Sequence, residues 1–151
     1  MSAPPILTDL ALTADMKRAV NTAFETLRPI VVAYVDENGA PQLSFRGSTQ
    51  AYSDQELAIW IRNPEGRILE SIAKNPAVAL IYGNFDPSAR GFMIFRGRAR
   101  VDGSDAVRNR VYEQAHAFER DKDKDRKGVA LLIALDSVEG FFGGAQLKMR
   151  R

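Results

Sequence analysis

Two short runs place guanidinium groups beside glycine, a combination suited to gripping a phosphate. The first is Phe45-Arg46-Gly47-Ser48-Thr49. Arginine holds a phosphate through two parallel hydrogen bonds, glycine lets the backbone approach, and hydroxyls donate further bonds. The same run also reads as a polar strand end facing water. The second is Trp60-Ile61-Arg62, followed by Glu65-Gly66-Arg67 where a helix should start. A helix N-terminus offers free N–H groups to an anion. A cation in that first turn is electrostatically misplaced unless an anion balances it. An exposed arginine paired with Glu65 or Glu70 is the competing account. If consecutive antiparallel strands carry the two runs, Arg46, Ser48, Arg62 and Arg67 can converge on one phosphate.

Two further runs are less specific. Arg96-Gly-Arg-Ala-Arg100 puts three guanidiniums on one strand face. They can meet nucleic acid, the acids of another subunit or a ligand, or simply form a solvated face or a salt-bridged interface. Phe141-Phe142-Gly143-Gly144 can form an aromatic wall beside a flat ring, or simply close a core.

Other chemistries lack their residues. The 151-residue chain has no cysteine and one histidine, so thiolate catalysis and a histidine-based metal cluster are absent, and no metal site is expected. His116, between Ala115 and Ala117 in a helical stretch, reads as structural. Neither a P-loop nor a G-x-G-x-x-G pattern occurs, and no Ser–His–Asp arrangement is supported. No catalytic residue is assigned, so any reaction would be carried by a bound cofactor. A net charge of +2 is too small to imply nucleic-acid binding. Met1-Ser-Ala-Pro-Pro lacks the basic segment and apolar run of a secretory signal, and no apolar stretch is long enough to span a bilayer. A cytoplasmic location without membrane contact is expected.

The elements that must position these residues follow from periodicity. Thr13 caps a helix with Met16, Val20, Ala23, Phe24 and Leu27 on one stripe, ended by Pro29. Ile30 to Val35 is a buried strand. Asn38-Gly39 predicts a type I′ hairpin into a strand from Pro41, with Leu43 and Phe45 on one face and Gln42, Ser44 and Arg46 on the other. In the strand Leu57 to Arg62, Leu57, Ile59 and Ile61 oppose Trp60 and Arg62. A short helix containing Ile68, Leu69 and Ile72 stops at Asn75-Pro76. Strands over Ala77–Tyr82 and Gly91–Val101 follow. Ser104 caps a helix to about Arg120 with Val107, Val111, Ala115 and Phe118 inward. Asp121 to Lys127 is a solvated loop, Val129 to Leu135 a strand, and Phe141 opens a last segment. This order predicts one α+β domain over residues 1–151 built on an antiparallel barrel, with 1–12 as an extended arm.

Taken together, the motifs resemble the pyridoxamine 5′-phosphate oxidase-like, flavin-binding split β-barrels. The resemblance rests on Pro29-Ile-Val-Val-Ala-Tyr-Val-Asp-Glu-Asn-Gly-Ala-Pro-Gln-Leu-Ser, Leu57-Ala-Ile-Trp-Ile-Arg, Arg67 to Leu80, and Phe95-Arg-Gly-Arg-Ala. It implies a six-stranded antiparallel split β-barrel with flanking helices, a homodimer, and FMN at the interface. By position, Arg46, Gly47, Ser48, Trp60, Ile61 and Arg62 would face the flavin and its tail, and Gly66 and Arg67 would hold the phosphate. A partner subunit would add residues around Phe92 to Arg96, with Phe141 and Phe142. The implied activity is FMN-dependent oxidoreduction of a small-molecule substrate. The alternative is a non-catalytic protein binding flavin, a deazaflavin coenzyme, or haem or another tetrapyrrole. The C-terminal Arg- and His-containing substrate site of the true oxidase has no match, so pyridoxamine phosphate is not the expected substrate.

Overall fold

The computed structural model describes residues 2–151. Nine strands and four helices alternate: β1 (Ile6–Asp9), α1 (Ala14–Asn21), β2 (Val31–Val35), β3 (Pro41–Phe45), β4 (Gln50–Ser53), β5 (Glu56–Ile61), α2 (Arg67–Lys74), β6 (Ala77–Asn84), β7 (Gly91–Asp102), α3 (Asp105–Gln114), α4 (Ala117–Asp121), β8 (Val129–Phe142) and β9 (Ala145–Arg150). The α+β class is as expected. All nine strands join one sheet, in the path β1-β9-β8-β7-β6-β2-β3, with β5 on β8 and β4 on β5. The outer strands do not pair with one another, so hydrogen bonds do not close the sheet into the six-stranded barrel of the resemblance. Nor is it purely antiparallel, since β1, within the N-terminal arm, runs parallel to β9.

The strand β8 explains the split. Its first half pairs with β5 and its second half with β9, while β7 follows it along the opposite edge. The sequence reading stops this strand at Leu135 because Asp136 and Ser137 interrupt the apolar run. The ladder to β7 absorbs that interruption as a register shift beside Arg96 and Gly97, and the strand continues to Phe142. Gly143 and Gly144 then take φ of 61° and 77°, the paired left-handed turn that joins two antiparallel strands with matching twist. At the earlier hairpin only Gly39 is left-handed, at 78°, and Asn38 is not. Asp36 instead shapes that turn, its carboxylate accepting from the Asn38 and Ala40 N–H groups.

Strand alternation sorts the core. Leu57, Ile59 and Ile61 enter the main cluster with Val32, Leu80, Met93, Phe95, Leu131 and Ile133. On the other face of the same strands, Ala58, Trp60, Ala130 and Leu132 pack against Val111 and Tyr112 of α3. Burial on both faces explains why β5 and β8 read as near-continuous apolar runs. Two helices are shorter than their patterns predict. The first ends at Asn21, and Leu27 stands exposed with φ of 61°. The long helix breaks at Ala115, whose ψ of 150° is extended, and restarts as α4, leaving Phe118 exposed.

Candidate functional site

The break between α3 and α4 builds one wall of a cleft of about 720 Å³. The opposite walls are the β3–β4 connection, the end of β5 and the start of α2. All eight residues singled out from the sequence line it: Arg46, Gly47, Ser48, Trp60, Ile61, Arg62, Gly66 and Arg67. The hairpin register does the gathering. Ser48 donates its hydroxyl proton to the Trp60 carbonyl (2.9 Å) and accepts from the Trp60 N–H (3.0 Å), clamping the Arg46–Ser48 run to β5. That hydroxyl proton is therefore engaged within the chain and does not join the guanidiniums. The Trp60 indole also points to structure: it packs edge-on to Tyr112 and donates to Asp123 at 2.9 Å.

The charged groups have distinct settings. Arg46 is half-buried, with its Nε donating to Ser44 Oγ at 3.1 Å. Burial pushes its guanidinium below the ordinary arginine value; Tyr34 and Glu119 counter this, and Arg62 adds to it. An arginine lowered from so high a value stays protonated at neutral pH. Arg67 opens α2 and is exposed. Its N-cap, Gly66, has no side chain to satisfy the free N–H groups of that first turn. Among the described residues, neither Arg67 nor Lys122 makes an ion pair. With Arg62, the cleft carries four cations against one carboxylate, Glu119, whose Oε2 lies 4.0 Å from Arg62 Nε.

Glu119, Lys122, Phe24 and Tyr34 are among the eight further lining residues that sequence reasoning did not assign to a site. The α4 wall depends on aromatic packing. His116 and Phe118 flank Phe24, with ring centroids 4.8 and 5.5 Å away, and His116 Nδ1 accepts from the Phe118 N–H as the N-cap. His116 is thus a cap at a helix break rather than a mid-helix residue. Phe24, Pro29, Phe45 and Ile61 add apolar surface. The arrangement is suited to a ligand that combines a phosphate with a flat apolar group.

The remaining runs lie elsewhere. Arg96, Arg98 and Arg100 are engaged by Glu139, Asp136, and by Glu56 and Asp102. All of these acids belong to the same chain, a pairing that the alternation of the strand did not reveal. Phe141 and Phe142 line a separate cavity with Tyr82 and Arg90, not the phosphate cleft. No helix among the described residues is long and apolar enough to cross a membrane.

Comparison with known proteins bears on the fold and the family. No curated protein matches the chain. Among solved structures, HupZ of Group A Streptococcus is 18% identical, with 89% of this chain and 97% of that one covered and a TM-score of 0.64. A Clostridium acetobutylicum protein related to general stress protein 26, of the pyridoxinephosphate oxidase family, is 12% identical (89% and 95% covered, TM-score 0.60). An FMN-binding protein from Syntrophomonas wolfei is 6% identical (83% and 86% covered, TM-score 0.62). At these identities the likeness is one of fold. The pyridoxamine 5′-phosphate oxidase family model matches residues 16–140, a span that holds every residue of the cleft, and the chain belongs to that family.

Proposed function

We propose that the cleft binds FMN and that the chain is a flavin-dependent oxidoreductase acting on a small molecule. The observation that carries this reading is the convergence of Arg46, Arg62, Arg67 and Lys122 with the uncapped start of α2 in one cleft that also has apolar walls. A phosphate ester is a dianion near neutral pH, and these groups can neutralise it. Flavin, when bound, supplies the electron transfer. The chain's own contribution is to grip the phosphate, orient the ligand against Phe24 and Ile61, and hold the wall shut through the Ser48–Trp60 clamp. Haem fits less well: the lining has no histidine, cysteine or methionine to ligate iron, and offers only the phenol of Tyr34. Purified protein should show flavin absorbance or take up added FMN; a colourless protein that ignores FMN defeats the reading. A cytoplasmic setting belongs to the same proposal.

A non-catalytic flavin or deazaflavin carrier is the second reading. It is favoured by one feature, that Glu119 is the only carboxylate in the cleft and no histidine accompanies it. Steady-state oxidation of NAD(P)H with a panel of acceptors separates the two, since a carrier binds without turnover.

The proposal includes a homodimer. Phe45, Val31, Ile81 and Ile94 lie in register across β3, β2, β6 and β7, and Leu43, Ala33 and Ala79 form the next row. This band faces away from the main core: Leu43 and Phe45 are more than two-thirds exposed, and Ile81 and Phe92 about two-fifths. An apolar band of this kind marks an interaction surface. Phe45 belongs to both the band and the cleft, so a second copy seated there would border the ligand. Light scattering should return twice the 16.7 kDa chain mass, and Leu43→Asp should return the monomer with the fold intact. A monomeric wild type contradicts the dimer.

A further inference from the structure

Glu119 stands out within the cleft. Its side chain is only 12% exposed, yet among the described residues neither carboxylate oxygen accepts a hydrogen bond. Its nearest cation, Arg62 Nε, is 4.0 Å away, beyond hydrogen-bonding reach. Neither oxygen is among the fully buried polar atoms left without a partner, so the carboxylate opens onto the cleft, where a donor on a ligand can reach it. Its position is also constrained. A Cβ on Gly47 would overlap Glu119 Oε1 and lie 2.8 Å from Phe24 Cδ2, so the carboxylate rests directly on the glycine backbone. The aromatic stack of Phe24, His116 and Phe118 holds the helix that carries it. Glycine at 47 leaves room for this acceptor, and the acceptor lacks a donor.

We infer that Glu119 is a specificity-determining residue that accepts a hydrogen bond from a hydroxyl on the ligand, near the ligand's phosphate. A donor is required, because a second anion would be repelled. The donor must be close to the phosphate, because Glu119 sits among the same cations, beside Arg62 and facing Arg46. The preferred ligand class is therefore a phosphate ester on a hydroxylated carbon chain. Ring N–H groups at the far end of a flat ligand are less suitably placed. This inference rests on the phosphate role of the cleft but does not require the ligand to be a flavin.

Removing Glu119 has two effects, which must be measured separately. Loss of its charge strengthens binding of any phosphate, whereas loss of the acceptor weakens only ligands that carry the hydroxyl. Wild type, Glu119→Gln and Glu119→Leu are titrated with inorganic phosphate, ribitol 5-phosphate and FMN, with thermal melts of each apo protein. The wild type should prefer ribitol 5-phosphate to inorganic phosphate. Glu119→Leu should reduce that preference about ten- to a hundredfold, the worth of a hydrogen bond to a charged group. Glu119→Gln, which keeps a carbonyl acceptor, should retain part of it. If Glu119→Leu changes both affinities by the same factor, or the wild type shows no preference, Glu119 is not an acceptor for the ligand. Selective loss of ribitol 5-phosphate in a protein that ignores FMN would uphold this inference while defeating the flavin reading.

Discussion

Arg67→Ala should weaken FMN binding about ten- to a hundredfold while leaving riboflavin binding nearly unchanged. The estimate follows from the strength of a hydrogen bond that involves a charged group, about 1.5–3 kcal/mol, with two-point arginine contacts at the upper end. Three observations place this effect at Arg67. It opens α2 beside a glycine N-cap that leaves backbone donors unsatisfied. It makes no ion pair among the described residues, and the carboxylate of Asp36 acts on it only through longer-range charge attraction. It is exposed and makes no side-chain hydrogen bond among the described residues, whereas Arg46 is partly committed to Ser44. A cation in the first turn opposes the helix dipole. Apo Arg67→Ala should therefore melt at or slightly above the wild-type temperature. Arg67→Lys should recover only part of the FMN affinity, because an ammonium cannot make the planar contact. Titration of the three proteins with FMN and riboflavin checks this. Equal weakening of both ligands would place the effect on the ring and not on the phosphate.

Eight of the lining residues were legible because their signal is local. Arg46-Gly47-Ser48 and Gly66-Arg67 each combine a cation with a backbone that tolerates close approach, and β5 shows its two faces by simple alternation. Glu119 and Lys122 were not legible, because a tertiary event brings them to the cleft. The stretch from Asp105 to Arg120 has the composition of one continuous helix, and nothing in it disfavours helix at Ala115 strongly. The break brings His116 and Phe118 onto Phe24, which is far away in the sequence and packs against both rings. Local propensity yields to such packing. The same reasoning covers the sheet. Ile6 and Leu7 are too short a run to announce a strand, and β1 exists because β9 offers it a parallel edge. The exposure of Leu43 and Phe45 inverts what their apolar character suggests, since β3 is the last strand on its side of the sheet and no element covers its outer face.

Asp123→Ala should be among the most destabilising single substitutions in the chain, at about 3 kcal/mol. Asp123 is 8% exposed, in a segment whose alternating charges suggest a solvated loop. Its carboxylate accepts three hydrogen bonds, from the Trp60 indole N–H and from the N–H groups of Lys127 (2.9 Å) and Gly128 (2.9 Å). It thereby ties the segment before β8 to the indole of β5, and the Tyr112 hydroxyl donates to the Asp123 carbonyl at 3.0 Å to complete the junction. Removing the carboxylate strands two buried donors, the Trp60 indole and the Gly128 N–H, together with the part-buried Lys127 N–H, and each buried unsatisfied group costs about 1–3 kcal/mol. Relaxation of the exposed Asp121–Arg126 side recovers some of this, which is why the total falls below the sum. For a chain of this size about 3 kcal/mol lowers the melting temperature by roughly 6–12 °C. The pH dependence has a definite sign. Burial pushes the Asp123 carboxyl up, but the N–H groups of Lys127 and Gly128 and the indole N–H outweigh it and hold the carboxyl below the ordinary carboxylate range. A carboxyl lowered in the folded state contributes stability that is present above its unfolded value, near 4, and is lost as pH falls through the folded value. Wild type should therefore lose stability relative to Asp123→Ala as pH drops below about 4, narrowing the gap between them. Thermal or urea melts of both proteins from pH 7 down to pH 3 measure it. A gap that stays constant across that range would mean that the charged carboxylate is not what holds the junction together.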